Sequence, residues 1–539
     1  MTRWVAQTRQ NYVSVSPYNN TQTTIHGFQG THQPAIWMGE SGPVIVVPGS
    51  GDIKSTFDDR GLAFSHDTEV LSPSYYSVEL EAGFGTIHAE QTASMYIFDR
   101  QYTSANGRTA SRVGHLRFTF NETERPYVLV EASRASVMGS ADPTNVTYPL
   151  SSVKVDIPRG EITGHNQERQ DFIIGPNAAP SFAGYFCARF SEPIVEWGVA
   201  SNADGKLYPG EMSKNGTQLS AYVRFSPSIR SVNVRIGVSF ISADQARENL
   251  DLEIPDGTTL EQTAQITREV WAEKLDRINV TGATVDQETV FYTSVFHSLQ
   301  LIGGTPEQDV YRAEWAWLIL MAPERIPGMV QSMLNDYTEG GWLPMWKNIV
   351  ETNIMVGTHA DSLIAEAVLK GMGGFDAQLA YEAVHKDATV PPVDDWDIVY
   401  SDRQQGVGYE VRAGLSSVYD IKGWVASDIH SEAGSRTLDY AYDDYAVGTL
   451  AALLNMSDDA AFFKTRALTA PFTIFNNETG FMEAKNASGE WAGPNAGWTE
   501  GDMWAYTFDV VHDIPGLIQH RGGNASFVEF LDEHFDGGE

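Results

Sequence analysis

The sequence predicts two unlike parts: an N-terminal antiparallel β-sandwich and, after it, a long all-helical domain. Three observations predict this. Before about residue 245 apolar and polar residues alternate; after about residue 258 apolar residues return every three to four positions; Gly, Pro, Asn and Ser clusters punctuate both regions. A period of two sends neighbouring side chains to opposite faces of a sheet, whereas a period of 3.6 lines them along one helix stripe.

The strand signal is clearest in Tyr75-Tyr76-Ser77-Val78-Glu79-Leu80, in Val113-Gly114-His115-Leu116-Arg117-Phe118-Thr119-Phe120 and in Val232-Asn233-Val234-Arg235-Ile236-Gly237-Val238. Many short strands, each with one polar face, fit two packed antiparallel sheets. The texture changes near Asp256-Gly257. There Thr258-Thr259-Leu260-Glu261 reads as a capping box, with Glu261 three residues after Thr258. Leu260, Ala264, Val270, Trp271 and Leu275 then share one helical face. Helical periodicity follows over 285–302, 323–335, 361–372, 376–386, 435–455, 458–468 and 525–535. The predicted organisation is a sandwich over 1–245, linker helices over 246–280 and a helical catalytic domain over 281–539.

Composition narrows the function. The 539 residues are 42% hydrophobic and 20% charged, enough apolar surface for a sizeable core. Lys and Arg total 36 against 70 Asp and Glu, a net charge of −34. Such a chain repels nucleic acid and anionic membranes and suits neutral substrates or cations. No apolar run reaches the ~18 residues of a membrane-crossing helix. The lone Cys187 excludes a disulfide framework and a cysteine zinc site, and reads as a small buried hydrophobe. Nine Asn-x-Ser/Thr sequons begin at Asn19, Asn121, Asn145, Asn215, Asn279, Asn455, Asn477, Asn486 and Asn524. Chance gives roughly three or four, so the excess points to the secretory pathway. Met1-Thr2-Arg3-Trp4 opens no signal peptide, so the native beginning is expected to lie elsewhere.

Two segments carry the most chemistry. Tyr337-Thr338-Glu339-Gly340-Gly341-Trp342-Leu343-Pro344-Met345-Trp346 and Trp498-Thr499-Glu500-Gly501-Asp502-Met503-Trp504-Ala505-Tyr506 each set a carboxylate beside glycine and aromatics. An aromatic face packs on the C–H face of a sugar, and a carboxylate binds hydroxyls or moves a proton. Inverting cleavage of a glycoside needs a carboxylic acid at the leaving oxygen and a second carboxylate ~6.5–9.5 Å away to activate water. A glutamate among apolar rings is expected to be desolvated, with its pKa raised, which suits the acid. His359-Ala360-Asp361 opens a helix, and Asp443-Asp444 lies in a helical run flanked by tyrosines. No His-x-x-x-His or His-Glu-x-x-His occurs, which argues against a zinc hydrolase. Gly-x-Ser-x-Gly is absent, and Gly49-Ser50-Gly51 is followed by no clear helix, so neither a nucleophile elbow nor a phosphate loop is indicated.

Taken together these segments resemble glycoside hydrolase family 92, the calcium-dependent exo-acting α-mannosidases. The resemblance rests on His26-Gly27-Phe28-Gln29-Gly30-Thr31-His32-Gln33-Pro34, Phe64-Ser65-His66 with Pro73-x-Tyr75-Tyr76, Arg112-Val113-Gly114-His115 and Glu339-Gly340-Gly341-Trp342-Leu343-Pro344. It continues in Gly357-Thr358-His359-Ala360-Asp361-Ser362, Leu438-Asp439-Tyr440-Ala441-Tyr442-Asp443-Asp444 and Thr499-Glu500-Gly501-Asp502-Met503-Trp504 with His512-Asp513. These run in family order from about residue 25 onward, and the sequons and loop details look like fungal members.

The resemblance implies a β-sandwich packed on an (α/α)6 barrel, with the active site between them. It implies inverting release of mannose from non-reducing α-linked termini, with α-1,2 linkages of N-glycans or mannoproteins as the expected substrates and Ca2+ as the cofactor. Glu500 matches the family's general acid. Expected sugar contacts are His26, His32, Asp309, Arg312, Glu339, Trp342, His359, Asp361, Asp443, Asp444 and Trp504, with His66 approaching from the sandwich side. The family's base lies in a late Gly-Asn-Asp/Glu-Asp motif, and an Asn-Glu-Pro segment supplies calcium and sugar contacts. Neither occurs after Asp513, nor does the family's opening Pro-Phe-Gly strand occur at the start. The base and metal ligands are therefore expected beyond Glu539, the catalytic domain is expected to be incomplete at its C-terminal side, and residues 1–539 are expected not to catalyse hydrolysis. Two alternatives stand beside the mannosidase: a sugar-binding protein on the same scaffold, and another sandwich-plus-barrel enzyme such as a disaccharide phosphorylase.

Overall fold

The computed structural model of the protein describes residues 3–10, 17–32, 41–83, 85–93, 111–121, 125–137, 146–169, 181–300, 312–346, 356–393, 395 and 411–536. The chain forms two compact units, Met1–Ile173 with Ala179–Gly303, and Ile174–Ala178 with Gly304–Glu539.

In the first unit two antiparallel sheets enclose one apolar core. One sheet has seven strands, in the order Trp4–Ala6, Phe28–Gly30, Val44–Gly49, Tyr127–Glu131, Leu219–Phe225, Ile194–Ser201 and Leu207–Pro209. The other has eleven, and its centre is Gly184–Phe190, Ser231–Ser239, Val113–Asn121, Thr86–Ala93 and Tyr75–Glu81. Phe28, Val44, Val46, Val128 and Val130 of the first sheet meet Val78, Leu80, Phe118, Phe186 and Val234 of the second. Each such side chain contributes ~1.5–3 kcal/mol by leaving water. The alternating runs at 75–80, 113–120 and 232–238 all lie in strands. Val44–Gly49 is instead buried throughout. Ile45 and Val47 point away from the shared core into a second cluster with Tyr127, Leu129, Ala200 and Tyr222, so this strand is covered on both faces.

The helices Ala243–Glu253 and Leu260–Leu275 dock on the sandwich rather than stand free as linkers. Leu250 and Ile254 pack on Val113, and Thr267 Oγ1 donates to the Ala93 carbonyl at 2.6 Å. A Cβ on Gly237 would fall 2.1 Å from the Ala246 carbonyl oxygen, so glycine is what lets the first helix approach. The capping box sits one residue later than the sequence suggested. Thr259 caps the helix and the Gln262 side chain returns to the Thr259 N–H, while Glu261 is drawn to Arg117 at 2.5 Å. Val285–Gln300 also groups with this unit, so the compact division falls near residue 303 and not at 281.

The second unit is helical, and among its described residues the only named strands are the short hairpin Phe475–Asn476 with Phe481–Met482. Its helices include Ile326–Gly340, Ala360–Leu369, Ala377–Thr389, Ala433–Leu453, Ser457–Thr473 and Asn524–Asp536, each anticipated by the 3.6 period. Glu314–Met321 was not anticipated, because Glu-Trp-Ala-Trp-Leu-Ile-Leu-Met is apolar nearly all round and shows no stripe. Ala433–Leu453 packs against Ala360–Leu369, Ala377–Thr389 and Ser457–Thr473. Enclosed on several sides, it buries even Arg436, Asp439, Asp443 and Asp444.

Candidate active site

Those buried charges are held by an ionic network centred on Arg412, which is wholly buried and adopts a left-handed backbone (φ 49°). Its guanidinium meets Asp361 Oδ2 at 3.0 Å, Asp444 Oδ1 at 2.5 Å and Thr358 Oγ1 at 3.1 Å. Asp444 also accepts from Arg466 Nε at 2.6 Å and from the Tyr419 hydroxyl at 2.9 Å. Burial alone would raise the Asp444 pKa, but the two guanidiniums outweigh it and hold the carboxyl below its ordinary value. Asp443 accepts from the Thr358 N–H at 2.8 Å and from His359 Nδ1 at 2.8 Å. The Asp443 carboxylate overcomes the burial of His359 and raises the imidazole's pKa. Asp361 is pushed up to about 8, first by burial and then by Asp443, against the pull of Arg412. The neighbouring Asp387 is likewise raised, by burial and by Asp361.

Glu500 lies in the loop before the short helix Met503–Thr507, whose N-cap is Asp502. Ser435, in the first turn of Ala433–Leu453, accepts the Thr499 N–H at 3.0 Å. The Thr499 hydroxyl donates to Glu432 at 2.9 Å, and the Thr499 carbonyl accepts from the Tyr506 hydroxyl at 2.7 Å. Trp498 stacks on Tyr506 with ring centroids 5.1 Å apart and packs so closely that a Cβ on Gly434 would lie 2.6 Å from its ring. Glu432 and Glu500 both take left-handed backbone conformations, φ 57° and 51°, which side-chain-bearing residues rarely adopt. Such strain persists only where surrounding contacts over-determine it, and it gathers at functional sites. The expected desolvation of Glu500 is corrected: its side chain is exposed, because Trp498 and Tyr506 pack on each other and on the helix rather than around the carboxylate.

Ser435, Asp439 and Asp443 recur every fourth residue, so one helix face carries the anchor of the Glu500 loop, a carboxylate and the anchor of His359. His359 Nε2 lies 3.8 Å from Asp439. Arg312 pairs with Asp509 at 3.2 Å, and both influence Asp439 electrostatically. The structure thus gathers His359, Asp361, Asp443 and Asp444 into one network and ties the Glu500 loop to the same helix. Asp439 belongs with them, and its spacing from Asp443 was the signal that could have found it.

The remaining predicted residues sit differently. Asp309 lies outside the described residues. Glu339 is exposed in the last turn of Ile326–Gly340, a helix end rather than a loop. Trp342 is half-buried, and one face of its ring is covered by the Lys386 ammonium at 4.1 Å. Trp504 is half-buried; its ring stacks on Phe530 and meets Phe481 edge-on at 4.6 Å. Asp361 and Asp444 are wholly buried and pair with Arg412. In the sandwich unit, His26 stacks on Phe57 at 3.8 Å and bonds the Phe57 carbonyl. His32 is also corrected: buried, bonded through Nε2 to the Tyr185 carbonyl at 2.8 Å and driven by burial to a pKa of about 4. His66 pairs with Glu69 at 2.6 Å.

Calcium wants six to eight oxygen ligands at once. Among the described residues no group of three or more His, Cys, Asp or Glu is arranged to hold a metal. The consecutive carboxylates Asp443 and Asp444 already spend their oxygens on Thr358, His359, Arg412, Arg466 and Tyr419. The described residues therefore do not fit the ion.

Two family models match the chain. One, the glycosyl hydrolase family 92 N-terminal domain, matches residues 1–239, and the family's catalytic domain matches 245–302 and 307–539. An uncharacterized secreted glycosidase of Arthroderma benhamiae is 25% identical over 532 residues, covering 89% of this chain and 62% of its own length. The chain thus spans less than two thirds of that curated relative. A family GH92 inverting mannosidase from Bacteroides thetaiotaomicron is similar at 26% identity and a TM-score of 0.80, over 99% of this chain and 70% of that one. A GH92 α-mannosidase of the same organism, in complex with mannoimidazole, is similar at 25% identity and a TM-score of 0.77, with the same coverage. No described helix is long and apolar enough to cross a membrane.

Proposed function

The chain belongs to glycosyl hydrolase family 92, and from that premise we propose that it acts on α-mannosides, removing mannose from the non-reducing end with inversion. The observation that carries this reading is the pinned, left-handed Glu500, exposed where it can reach a leaving-group oxygen. Glu500 gives its proton to the glycosidic oxygen as the bond to the anomeric carbon breaks, while water attacks from the opposite face. The carboxylate that activates this water is neither Asp443 nor Asp444, since both are wholly buried and saturated with donors. Arg312, Glu339, Trp342 and His359 are proposed sugar contacts, as is Asp309. The helices are proposed to belong to an (α/α)6 barrel. No step is routed through calcium.

The proposed substrates are α-1,2-linked mannosides of N-glycans or mannoproteins. The secretory pathway is proposed as the route, supported by the nine sequons and by the name of the fungal relative. Asn215, Asn279, Asn455, Asn477 and Asn524 are exposed and open to glycosylation.

The test is Glu500→Gln. Measured in the full-length protein, turnover of an alkyl α-mannoside is expected to fall ~10²-fold or more. An activated aryl mannoside leaves with little protonation and is expected to lose less. Equal losses on both substrates would remove the acid role. Mannoside binding by the full-length protein without turnover would favour the alternative, a sugar-binding protein.

A further inference from the structure

We propose that Asp439 is a ligand for a hydroxyl of the sugar bound beside Glu500, an assignment that rests on the mannoside reading above. The contrast with its neighbours on the same helix carries the argument. Asp443 accepts from the Thr358 N–H, the Thr358 hydroxyl and His359. Asp444 accepts from Arg412, Arg466 and Tyr419. Asp439 is nearly as enclosed as they are, with a side chain 7% exposed. Yet among the described residues its carboxylate accepts no hydrogen bond, and its one charged neighbour at contact range is His359 Nε2 at 3.8 Å. That separation is too long for a hydrogen bond. His359 is not free to close it, because its other nitrogen is held by Asp443 at 2.8 Å.

A buried carboxylate without donors is costly, and folded proteins saturate nearly all such groups. An exception calls for a donor that arrives from outside. Sugar hydroxyls are such donors, and one carboxylate can take two of them. The position fits. Asp439 is four residues from Ser435, the anchor of the Glu500 loop, so it lies one helical turn, about 6 Å along the axis, from that anchor. The Arg312–Asp509 pair adds further polar groups, and Tyr506, stacked on Trp498, adds an aromatic wall, all within electrostatic range of Asp439. A few convergent polar groups beside aromatic surface are what orient a small ligand.

The wild-type protein, Asp439→Asn and Asp439→Ala are titrated by NMR with methyl α-mannoside and with each of its monodeoxy forms, and thermal unfolding checks that each variant folds. The alanine variant is expected to bind methyl α-mannoside ~10–100-fold more weakly, the scale of a hydrogen bond to a charged group. One monodeoxy form should lose a similar factor on the wild type and lose nothing further on Asp439→Asn. Should the alanine variant fail to fold, the isosteric asparagine decides. Binding by both variants that matches the wild type, or an asparagine variant as sensitive as the wild type to every deoxy form, would overturn this assignment alone. Failure of the wild type to bind any of these sugars would overturn the mannoside reading and Asp439 with it.

Discussion

Ser435 Oγ accepts the backbone N–H of Thr499 at 3.0 Å, and this bond fastens the residue before Glu500 to the first turn of the helix Ala433–Leu453. The position of the proposed acid is thereby referred to the same rigid element that holds Asp439 and Asp443. Ser435→Ala should cost only ~1 kcal/mol of stability, the scale of one hydrogen bond. Its effect on turnover should be larger, because displacement by ~1 Å can cost ~10²-fold in rate. The check is to measure kcat and the thermal midpoint together. A variant that loses stability but keeps kcat would show that the loop is positioned by other contacts.

Arg412 should be among the least replaceable residues of the helical unit. Arg412→Met leaves Asp361 without its cation and Asp444 with only Arg466. Breaking a buried pair in this way costs ~3–5 kcal/mol. Urea unfolding of the variant should show a loss of that size, and a loss below ~1 kcal/mol would mean that the network is not close-packed in solution.

The contribution of the buried carboxyls of the helical unit to stability should fall as pH rises from about 5 to about 8. Asp361 and Asp439 are raised by burial to about 8 and about 7, and Asp387 is raised as well. The folded state therefore holds protons that the unfolded chain, with carboxyl pKa values near ~3.9, has already released. A raised carboxyl contributes stability at low pH and loses it as pH climbs through the folded value. His359, also raised, acts in the same direction. Asp387→Asn removes one like charge beside Asp361, so it should raise the thermal midpoint more at pH 8 than at pH 5. A midpoint gain that is larger at the acid end would contradict this assignment.

Much of this was legible in the sequence, for reasons particular residues make plain. The strands at 75–80 and 232–238 were readable because one face of each enters the core between the sheets while the other is in part less buried. Val44–Gly49, covered on both faces, loses that alternation. At the site, Glu500 was found through its glycine and aromatic neighbours. The partners of Asp361, Asp444 and Trp504 were not legible, because adjacency in sequence does not say which way a helical side chain points. Asp443 and Asp444 are consecutive, yet one serves Thr358 and His359 and the other serves Arg412 and Arg466. Asp439 escaped notice because burial without a partner is a property of packing, and only its four-residue spacing from Asp443 marked it beforehand.

The most direct test is a calorimetric titration of the wild-type protein and of Glu500→Gln with mannoimidazole. This compound presents a mannose-shaped ring with a basic nitrogen where the glycosidic oxygen would sit. A carboxylic acid poised to protonate that oxygen should bind the nitrogen strongly. The wild type should therefore bind, and Glu500→Gln should bind at least ~10-fold more weakly, the loss of one charge-assisted hydrogen bond. Equal binding by the two proteins, or no binding by either, would contradict the assignment of Glu500 as the acid of a mannoside site.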